Sequence, residues 1–366
     1  MPPLTRKLNV AMIGHGFMGR AHSNAFRQVG YFFDRPYEFK LKVICGRNLD
    51  SVQAFASHWG WEEAAVDWQS VISRKDIDVV NIGAPNHLHA PIAIAAAKAG
   101  KIVFCEKPLA LNLEEARRMA EAARKVPNLV WFNYRRVPAI ALAKRLVQEG
   151  RVGTPYHYRA TYLQSWGPDP RRLGIWRFRK SDAGSGAMGD LLSHALDLGL
   201  LLNGPITEIT GMLNTFIPDR EVDDAALLLA RFANGSVGSF EATRFAIGCR
   251  NRNCFEIHGS EGALRFNLED LNRLEVFTTS DAPDVPGYHN VLVTGPDHPY
   301  VGHYWPPGHI IGWEHTFIST LADFLECLSK NEPFHANFDD ALQVQRLMDA
   351  VETSSKNKSW IRVDVA

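Results

Sequence analysis

An acid and a lysine follow a short apolar run, at a position where a buried strand would end. Residues 102–105 are apolar and partly β-branched, which predicts a strand in the interior of a parallel sheet. Pro108 lacks an N–H and disfavours helix at the residue before it, so it ends the strand. Glu106 and Lys107 therefore lie at a strand's carboxyl end, where open α/β sheets bind ligands. Lys107 is a candidate catalytic or binding lysine, and the alternative is a solvated turn.

A second set of ionisable side chains follows a glycine-rich turn at residues 184–189. Asp190, His194 and Asp197 are spaced by four and three residues, so on a helix they would project from one otherwise apolar side. An aspartate that holds a histidine in one tautomer is the arrangement that a general base needs. The alternative is a buried histidine satisfied by Asp190, with Asp197 capping a nearby group.

A glycine turn near the start of the chain indicates a nucleotide site. The pattern Gly-x-Gly-x-x-Gly follows an apolar strand at residues 8–13 and precedes a helix-like segment at residues 20–29. In that context the glycines permit a tight turn, close approach to a pyrophosphate and packing of helix on strand. We expect five residues of this turn to bind a dinucleotide: Gly14, Gly16, Phe17, Met18 and Gly19.

The end of the second predicted strand is where an acid reads the adenosine ribose of NAD. This chain has Gly46, Arg47 and Asn48 there, and Asp50 is expected to cap the helix over residues 51–59. An arginine can pair with a 2′-phosphate or stack on adenine. The sequence therefore predicts NAD or NADP as cofactor, favours tolerance of NADP, and assigns Arg47 and Asn48 to its binding.

A polar loop follows the third predicted strand, at the same sheet edge as Lys107. It carries Asn86, His87 and His89. Contacts to the nicotinamide end of a cofactor and ordinary loop capping are the favoured alternatives, and a metal site is disfavoured because the histidine pair lacks a clear third ligand. We assign Asn86, His89, Glu106 and Lys107 to the cofactor.

The composition bounds the protein class. A length of 366 residues suggests two domains. Basic and acidic residues number 40 each, so no net field points to nucleic acid or an anionic membrane. No signal peptide and no apolar run of membrane-spanning length are evident, and we expect a cytoplasmic protein.

The segment pattern predicts an α/β fold in two parts. Residues 1–134 alternate strand, loop and helix, which is typical of a Rossmann domain with a doubly wound parallel sheet. Residues 135–366 should form an α+β domain with a large, mostly antiparallel sheet, because several strands are joined by short turns. An open face of such a sheet is either wet or an interface of a homodimer or homotetramer. A loop rich in proline and arginine is expected at residues 167–172. A long loop is expected at residues 280–312, and since it is too long to be a mere connector, we expect it to cover a site or a partner subunit.

Taken together, these motifs resemble the Gfo/Idh/MocA oxidoreductase family, the sugar and polyol dehydrogenases related to glucose-fructose oxidoreductase and inositol dehydrogenase. The glycine turn, the Glu-Lys-Pro segment and the Asp-x-x-x-His segment occur in the family's order, and the resemblance spans nearly the whole chain. Three further segments resemble levoglucosan dehydrogenase-like members, which oxidise a ring hydroxyl of an anhydrosugar: residues 133–136, 161–166 and 176–178.

The resemblance implies a dehydrogenase that oxidises a secondary ring hydroxyl of a sugar, anhydrosugar or cyclic polyol by hydride transfer to NAD(P). It implies that His194 takes the hydroxyl proton, that Lys107 donates to the substrate oxygen, and that Asp190 orients His194 or binds a neighbouring hydroxyl. It also implies a cis bond before Pro108. Four side chains are expected sugar contacts, with ordinary domain packing as the alternative: Gln164, Trp166, Trp176 and Arg177.

Two other function classes stay open at this point. A non-catalytic sensor or regulator of the same fold would be expected to lose Lys107 or His194, and both are present. A metal-dependent hydrolase, suggested by the 14 histidines, would require metal bound in stoichiometric amount.

Overall fold

The chain folds into two compact units. The computed structural model describes residues 6–169 and 174–364, so residues 170–172 of the predicted loop lie outside the described residues. The first unit comprises residues 1–133 and 313–343, and the second comprises residues 134–312 and 344–366. Within the described ranges, no helix is long and apolar enough to cross a membrane.

The first unit is built on a sheet of six parallel strands in the order β3-β2-β1-β4-β5-β6. The strand order reverses between β1 and β4, so their carboxyl ends form the switch point where such sheets bind ligands. This is the predicted Rossmann sheet. Its strands are β1 (Arg6–Ile13), β2 (Tyr37–Cys45), β3 (Glu63–Ala65), β4 (Val79–Ile82), β5 (Ile102–Cys105) and β6 (Asn128–Val130).

Five helices connect these strands, and their starting points follow from capping. The Asn48 side chain accepts a hydrogen bond from Ser51 N at 2.9 Å and so caps the second helix. The expectation that Asp50 is the cap is wrong, because Asp50 lies inside the first turn, where its charge complements the helix dipole. The helices are α1 (Phe17–Phe32), α2 (Leu49–Trp59), α3 (Trp68–Ser73), α4 (His89–Lys98) and α5 (Leu113–Ala123).

The second unit contains a mostly antiparallel sheet of nine strands, as predicted, in the order β14-β13-β12-β11-β7-β10-β9-β8-β15. Among the described strand pairings of this second sheet, only that of β7 with β10 is parallel. The expectation that residues 280–312 form a loop throughout is wrong, because this segment contains the strand β14, which pairs with β13 before it. The strands are β7 (Pro155–Leu163), β8 (Ile206–Asn214), β9 (Ala225–Phe232), β10 (Val237–Thr243), β11 (Arg252–Gly259), β12 (Gly262–Asn267), β13 (Arg273–Thr278), β14 (His289–Leu292) and β15 (Ile361–Arg362).

The helices of the second unit include an irregular turn. A π-helical turn, Met188–Leu192, runs directly into the eighth helix of the chain. Such turns occur mostly as local insertions in helices and often at functional sites. The helices are α6 (Pro138–Gln148), α7 (Lys180–Ala183) and α8 (Ser193–Asn203).

The chain returns to the first unit before it ends, which corrects the prediction that all of residues 135–366 form one domain. The returning segment includes α9 (Glu314–Lys330) and the start of α10 (Phe338–Asn357). Phe324 of α9 packs edge-on against Phe104 of β5, with ring centroids 4.6 Å apart. Burial of these rings explains why α9 belongs with the parallel sheet.

Candidate active-site residues of the two units

The glycine turn has room for a pyrophosphate. Gly14 has a φ of +107°, and a Cβ there would lie 2.5 Å from Gly83 O, so only glycine fits. Gly16 faces open space and offers no side-chain cap to α1, which begins at Phe17. The first N–H groups of α1 have no partners within the helix and can bind an anion. The Phe17 ring stacks on Trp313 at 5.5 Å, so it supports the turn from one side.

The corner expected to bind the adenosine ribose is packed around a histidine. A Cβ on Gly46 would overlap the His15 ring, and His15 Nε2 lies 3.0 Å from Ser51 Oγ. Burial, together with the nearby Arg47 charge, lowers the pKa of His15. Arg47 itself is exposed. Asn48 uses its side-chain oxygen as the α2 cap, so its contact with cofactor stays a prediction.

Lys107 lies at the end of β5 beside a buried acid. Its side chain is half-buried, and its peptide bond to Pro108 is cis, which confirms the expectation drawn from the family resemblance. Glu106 is buried, and its Oε2 accepts a hydrogen bond from Lys107 N at 3.2 Å. This contact fixes the backbone from which the lysine projects.

The His89 ring holds two loops together and faces no open space. It is fully buried, with Nδ1 3.0 Å from Pro108 O and Nε2 3.0 Å from Ala84 O. Burial lowers the pKa of the ring, and a neutral imidazole has one N–H, so it donates to only one of these two carbonyls. These contacts give His89 a structural role between the two loops, and its contact with the cofactor stays a prediction. Asn86 is buried in a 3₁₀ turn, Asn86–Leu88, just before it.

Three buried polar residues of the first unit were not singled out from the sequence. His22 of α1 places Nε2 2.9 Å from Glu106 Oε1. Its Nδ1 lies 3.0 Å from Asn81 Nδ2, and Asn81 Oδ1 accepts a hydrogen bond from Trp131 Nε1 at 2.9 Å. One signal was available, since Asn81 interrupts an otherwise apolar strand and so had to find buried partners.

In the second unit, His194 lies among aromatic rings at the start of α8. It is buried, and its ring centroid is 4.6 Å from that of Tyr134 and 5.9 Å from that of Tyr162. Asp190 belongs to the π-helical turn, whereas His194 belongs to the α-helix, so their four-residue spacing is not one α-helical turn. The shared side of the helix and the hydrogen bond from His194 to Asp190 both stay predictions.

Each of the two aspartates pairs with an arginine. Arg244 is almost fully buried, and its Nη2 donates to Asp190 Oδ2 at 3.0 Å and to Gly186 O at 3.1 Å. Asp197 accepts from Arg135 Nε at 3.0 and 3.1 Å and from Arg135 Nη2. Asp197 thus forms a buried ion pair with Arg135, whereas the alternative interpretation of the sequence had it cap a nearby group.

The predicted sugar contacts Gln164 and Trp166 are joined to the surroundings of His194 by hydrogen bonds. Trp166 Nε1 donates to Gln164 Oε1, and Gln164 Nε2 donates to Asn251 Oδ1 at 2.7 Å. Tyr162 OH donates to the same Asn251 oxygen at 2.8 Å, so its own oxygen accepts from Tyr134 OH at 2.9 Å. Burial raises the pKa of Tyr162, which keeps the phenol protonated in this chain of bonds.

The remaining predicted contacts form an aromatic and cationic cluster. The Arg177 guanidinium lies 4.6 Å from the centroid of Trp176. The Arg244 guanidinium lies 4.6 Å from the centroid of Trp166, which in turn packs on Phe178 at 5.6 Å. Arg244 therefore links Trp166 with Asp190. Sequence reasoning missed Arg244 because its partners lie in distant segments of the chain.

Comparison with known proteins assigns both units. An "oxidoreductase family, NAD-binding Rossmann fold" model matches residues 8–134, and a "GFO/IDH/MocA C-terminal domain" model matches residues 140–265. The chain is 42% identical to levoglucosan dehydrogenase of Pseudarthrobacter phenanthrenivorans over 98% of each protein. A solved structure of levoglucosan dehydrogenase in complex with NADH and levoglucosan is 43% identical, with a TM-score of 0.96 over 98% of this chain and 100% of that chain. An oxidoreductase domain protein from Kribbella flavida is 44% identical, with a TM-score of 0.95 over 98% of this chain and 100% of the other.

Proposed function

The chain belongs to the Gfo/Idh/MocA family of oxidoreductases, and we propose that it is an NAD-dependent dehydrogenase that oxidises a secondary ring hydroxyl of a sugar, anhydrosugar or cyclic polyol. The observation that carries this proposal is that the chain is 42% identical to a levoglucosan dehydrogenase over 98% of its length. An anhydrosugar is therefore the favoured substrate.

The residues of the first unit fit the cofactor that the proposal requires. Gly16 and the N-terminus of α1 would hold its pyrophosphate through backbone N–H groups, and Gly14 permits the tight turn before them, while its own N–H donates to Cys45 O. Bound NAD supplies a ring carbon that accepts a hydride. In this proposal Lys107 donates a hydrogen bond to the substrate oxygen as that oxygen gains alkoxide character. The Glu106 carboxylate accepts from Lys107 N and so fixes the backbone of the lysine.

The residues of the second unit supply the base and the sugar contacts. We assign removal of the hydroxyl proton to His194, while the hydride leaves the carbon of the same C–OH group, so that the alcohol becomes a ketone. Asp190, paired with Arg244, acts as a carboxylate that orients His194 or accepts from a neighbouring hydroxyl. Gln164 and Trp166 offer an amide and a flat ring, groups that suit a sugar's hydroxyls and its apolar face.

Two finer proposals concern the cofactor and self-association. Arg47 is exposed at the ribose corner, and no acid stands among residues 46–49, which supports acceptance of NADP beside NAD. The exposed face of the nine-stranded sheet carries Met212, Leu227 and Leu229, which are 55%, 39% and 52% exposed. We propose that this face joins copies of the chain in a homo-oligomer, since clustered apolar side chains of this kind mark interaction surfaces.

A cytoplasmic location is also proposed. The cysteines are thiols, and Cys45 and Cys105 are buried in strands of the first unit. Thiols of this kind are typical of a reducing compartment.

Initial rates of nicotinamide reduction test the proposed function. The panel contains levoglucosan, inositols, aldoses and glycosides, each with NAD and NADP in parallel. We expect reduction with at least one cyclic substrate, and we expect Lys107→Ala and His194→Ala to lower turnover by about 10²–10⁴-fold with the fold retained. Exposed Lys98→Ala and His58→Ala serve as matched controls.

Unchanged turnover in both Lys107→Ala and His194→Ala would contradict the proposed roles. A wild-type protein that binds NADH but reduces no cofactor with any member of the panel would instead indicate a sensor or regulator. Circular dichroism of each variant separates a catalytic loss from an unfolded protein.

A further inference from the structure

Four buried side chains of the first unit form a continuous polar chain that ends at the backbone of Lys107. We call Trp131, Asn81, His22 and Glu106 the buried polar chain. The first three are at most 1% exposed, and Glu106 is 6% exposed. They come from four separate segments, since Asn81 lies in β4, His22 in α1, Glu106 after β5 and Trp131 after β6. Burying this many polar groups is unfavourable unless they satisfy one another.

The direction of every hydrogen bond in the buried polar chain is fixed at one end by the indole. Trp131 Nε1 can only donate, so the atom of Asn81 that receives it at 2.9 Å is the carbonyl oxygen. Asn81 must then present its NH₂ group to His22 Nδ1, 3.0 Å away. His22 Nδ1 is therefore an acceptor without a proton, and the neutral ring carries its proton on Nε2.

The fixed proton of His22 faces the carboxylate next to Lys107. His22 Nε2 lies 2.9 Å from Glu106 Oε1, and neither atom has another hydrogen-bond partner in the described part of the chain. The contact is short, although the N–H is not aligned with it. The other oxygen of Glu106 accepts from Lys107 N. One oxygen of the carboxylate thus accepts a hydrogen bond from the Lys107 backbone, and the other is in short contact with His22.

We propose that His22 is a positioning residue that holds the Glu106 side chain in place and so fixes the backbone of Lys107. This inference rests on the proposed function, because it gives Lys107 a catalytic role. His22 stacks on Trp131, with ring centroids 4.2 Å apart and planes 16° apart, and this contact fixes the plane of the imidazole. The ring belongs to α1, whose N-terminus begins at the glycine turn. His22 therefore couples the helix that would hold the pyrophosphate to the strand end that carries the lysine.

An isosteric reversal of one donor tests the proposal. Asn81→Asp keeps the side-chain shape but replaces the NH₂ group that faces His22 Nδ1 with an oxygen. We expect a proton to move onto Nδ1, either by a change of tautomer, which removes the N–H that faces Glu106, or by formation of the imidazolium. Nitrogen-15 NMR of histidine-labelled full-length protein reports this directly, because protonated and unprotonated ring nitrogens have well-separated shifts. The wild type should show His22 with Nε2–H alone.

The kinetic consequence should fall on turnover. We expect Asn81→Asp to lower kcat about 10- to 100-fold, the size of effect that a small misplacement of a catalytic group produces, while KM for NAD changes less than threefold. Asn24→Asp, the same exchange two residues from His22 on α1 at a less buried position, is the matched control and should leave kcat within twofold. Trp131→Phe removes the indole donor instead, and should give a mixture of His22 tautomers with a smaller loss of kcat.

Several results would overturn the proposal while leaving the proposed function intact. These are a wild-type His22 that carries its proton on Nδ1, or an active Asn81→Asp enzyme whose kcat matches that of Asn24→Asp. If Asn81→Asp does not fold, then Trp131→Phe decides, and unchanged tautomer and kcat in that variant refute the role. Failure of the wild type to reduce NAD with any panel substrate is a separate outcome that refutes the proposed function itself.

Discussion

Neutralising Asp197 should destabilise the second unit by several kilocalories per mole. The carboxylate accepts three contacts from Arg135, and the two side chains are 2% and 9% exposed. Asp197→Asn keeps the volume but leaves a buried guanidinium without its countercharge, which typically costs about 3–5 kcal/mol. Because an amide oxygen can still accept one of the bonds, we expect the lower end, about 3 kcal/mol. Arg135 follows Tyr134, whose ring contacts His194, so turnover should fall as well.

Differential scanning calorimetry is the appropriate assay, since it can resolve the unfolding of two units. For a unit of this size, 3 kcal/mol corresponds to a shift in Tm of about 6–12 °C. Glu352→Gln is the matched control, because it neutralises a partly exposed carboxylate of the same unit whose lysine partners are exposed, and it should shift Tm by less than about 2 °C. A Tm for Asp197→Asn within 2 °C of the wild type would refute the reasoning.

Three further results are expected. Arg47→Ala should lower kcat/KM for NADP about 10-fold or more relative to kcat/KM for NAD, because a charge-assisted bond to the 2′-phosphate is lost. If steady-state kinetics give the same ratio of the two kcat/KM values as in the wild type, Arg47 does not bind the 2′-phosphate. Leu229→Lys should shift the oligomer toward monomer in analytical ultracentrifugation, whereas the same change at exposed Val285 should not. Arg74 holds the pKa of Glu63 and that of Asp76 each at about 2. Since both values lie below the ordinary range, this stabilisation is present above about pH 4.5 and is lost as the pH falls toward 2. Arg74→Gln should therefore lower the free energy of unfolding by at most about 1 kcal/mol at pH 7. When Tm is measured as a function of pH, the Tm values of the variant and the wild type should converge near about pH 2. A difference in Tm that does not change with pH would contradict this link between the ion pairs and stability.

The sequence was most informative where local rules determine the outcome. The strand that ends before Pro108 and the turn at Gly14 follow from backbone restrictions of proline and glycine, which act within a few residues. The short turns between strand-like runs predicted the second sheet for the same reason. In the folded sheet, β9 exposes Leu227 and Leu229 and buries Leu228 between them. Such features need no knowledge of distant partners.

The features that sequence reasoning missed depend on contacts between distant segments. Arg244 pairs with Asp190 across 54 residues, and Asn81 meets His22 across 59 residues. The π-helical turn at Met188–Leu192 also escaped prediction, because its residues have an ordinary helical pattern. There, Asp223 accepts from Gly186 N and Met188 N, and a Cβ on Gly186 would overlap Asp223 O. The turn is thus set by a partner that lies far along the chain.

The return of residues 313–343 to the first unit also depends on contacts between distant segments of the chain. Which sheet α9 covers depends on complementary side chains. The stacking of Trp313 on Phe17 and of Phe324 on Phe104 decides it, and neither contact is visible in the local pattern.

The proposed activity is tested most directly by the fate of the hydrogen on the oxidised carbon. The protein is incubated with NAD and levoglucosan deuterated on its ring carbons, and the reduced cofactor is analysed by mass spectrometry. We predict one deuterium per molecule of NADH formed, with formation strongly reduced in His194→Ala and Lys107→Ala. If levoglucosan gives no turnover, the same measurement with deuterated members of the substrate panel applies. Reduced cofactor that contains no deuterium, or no reduction with any panel member by a protein that binds NAD, would contradict the account.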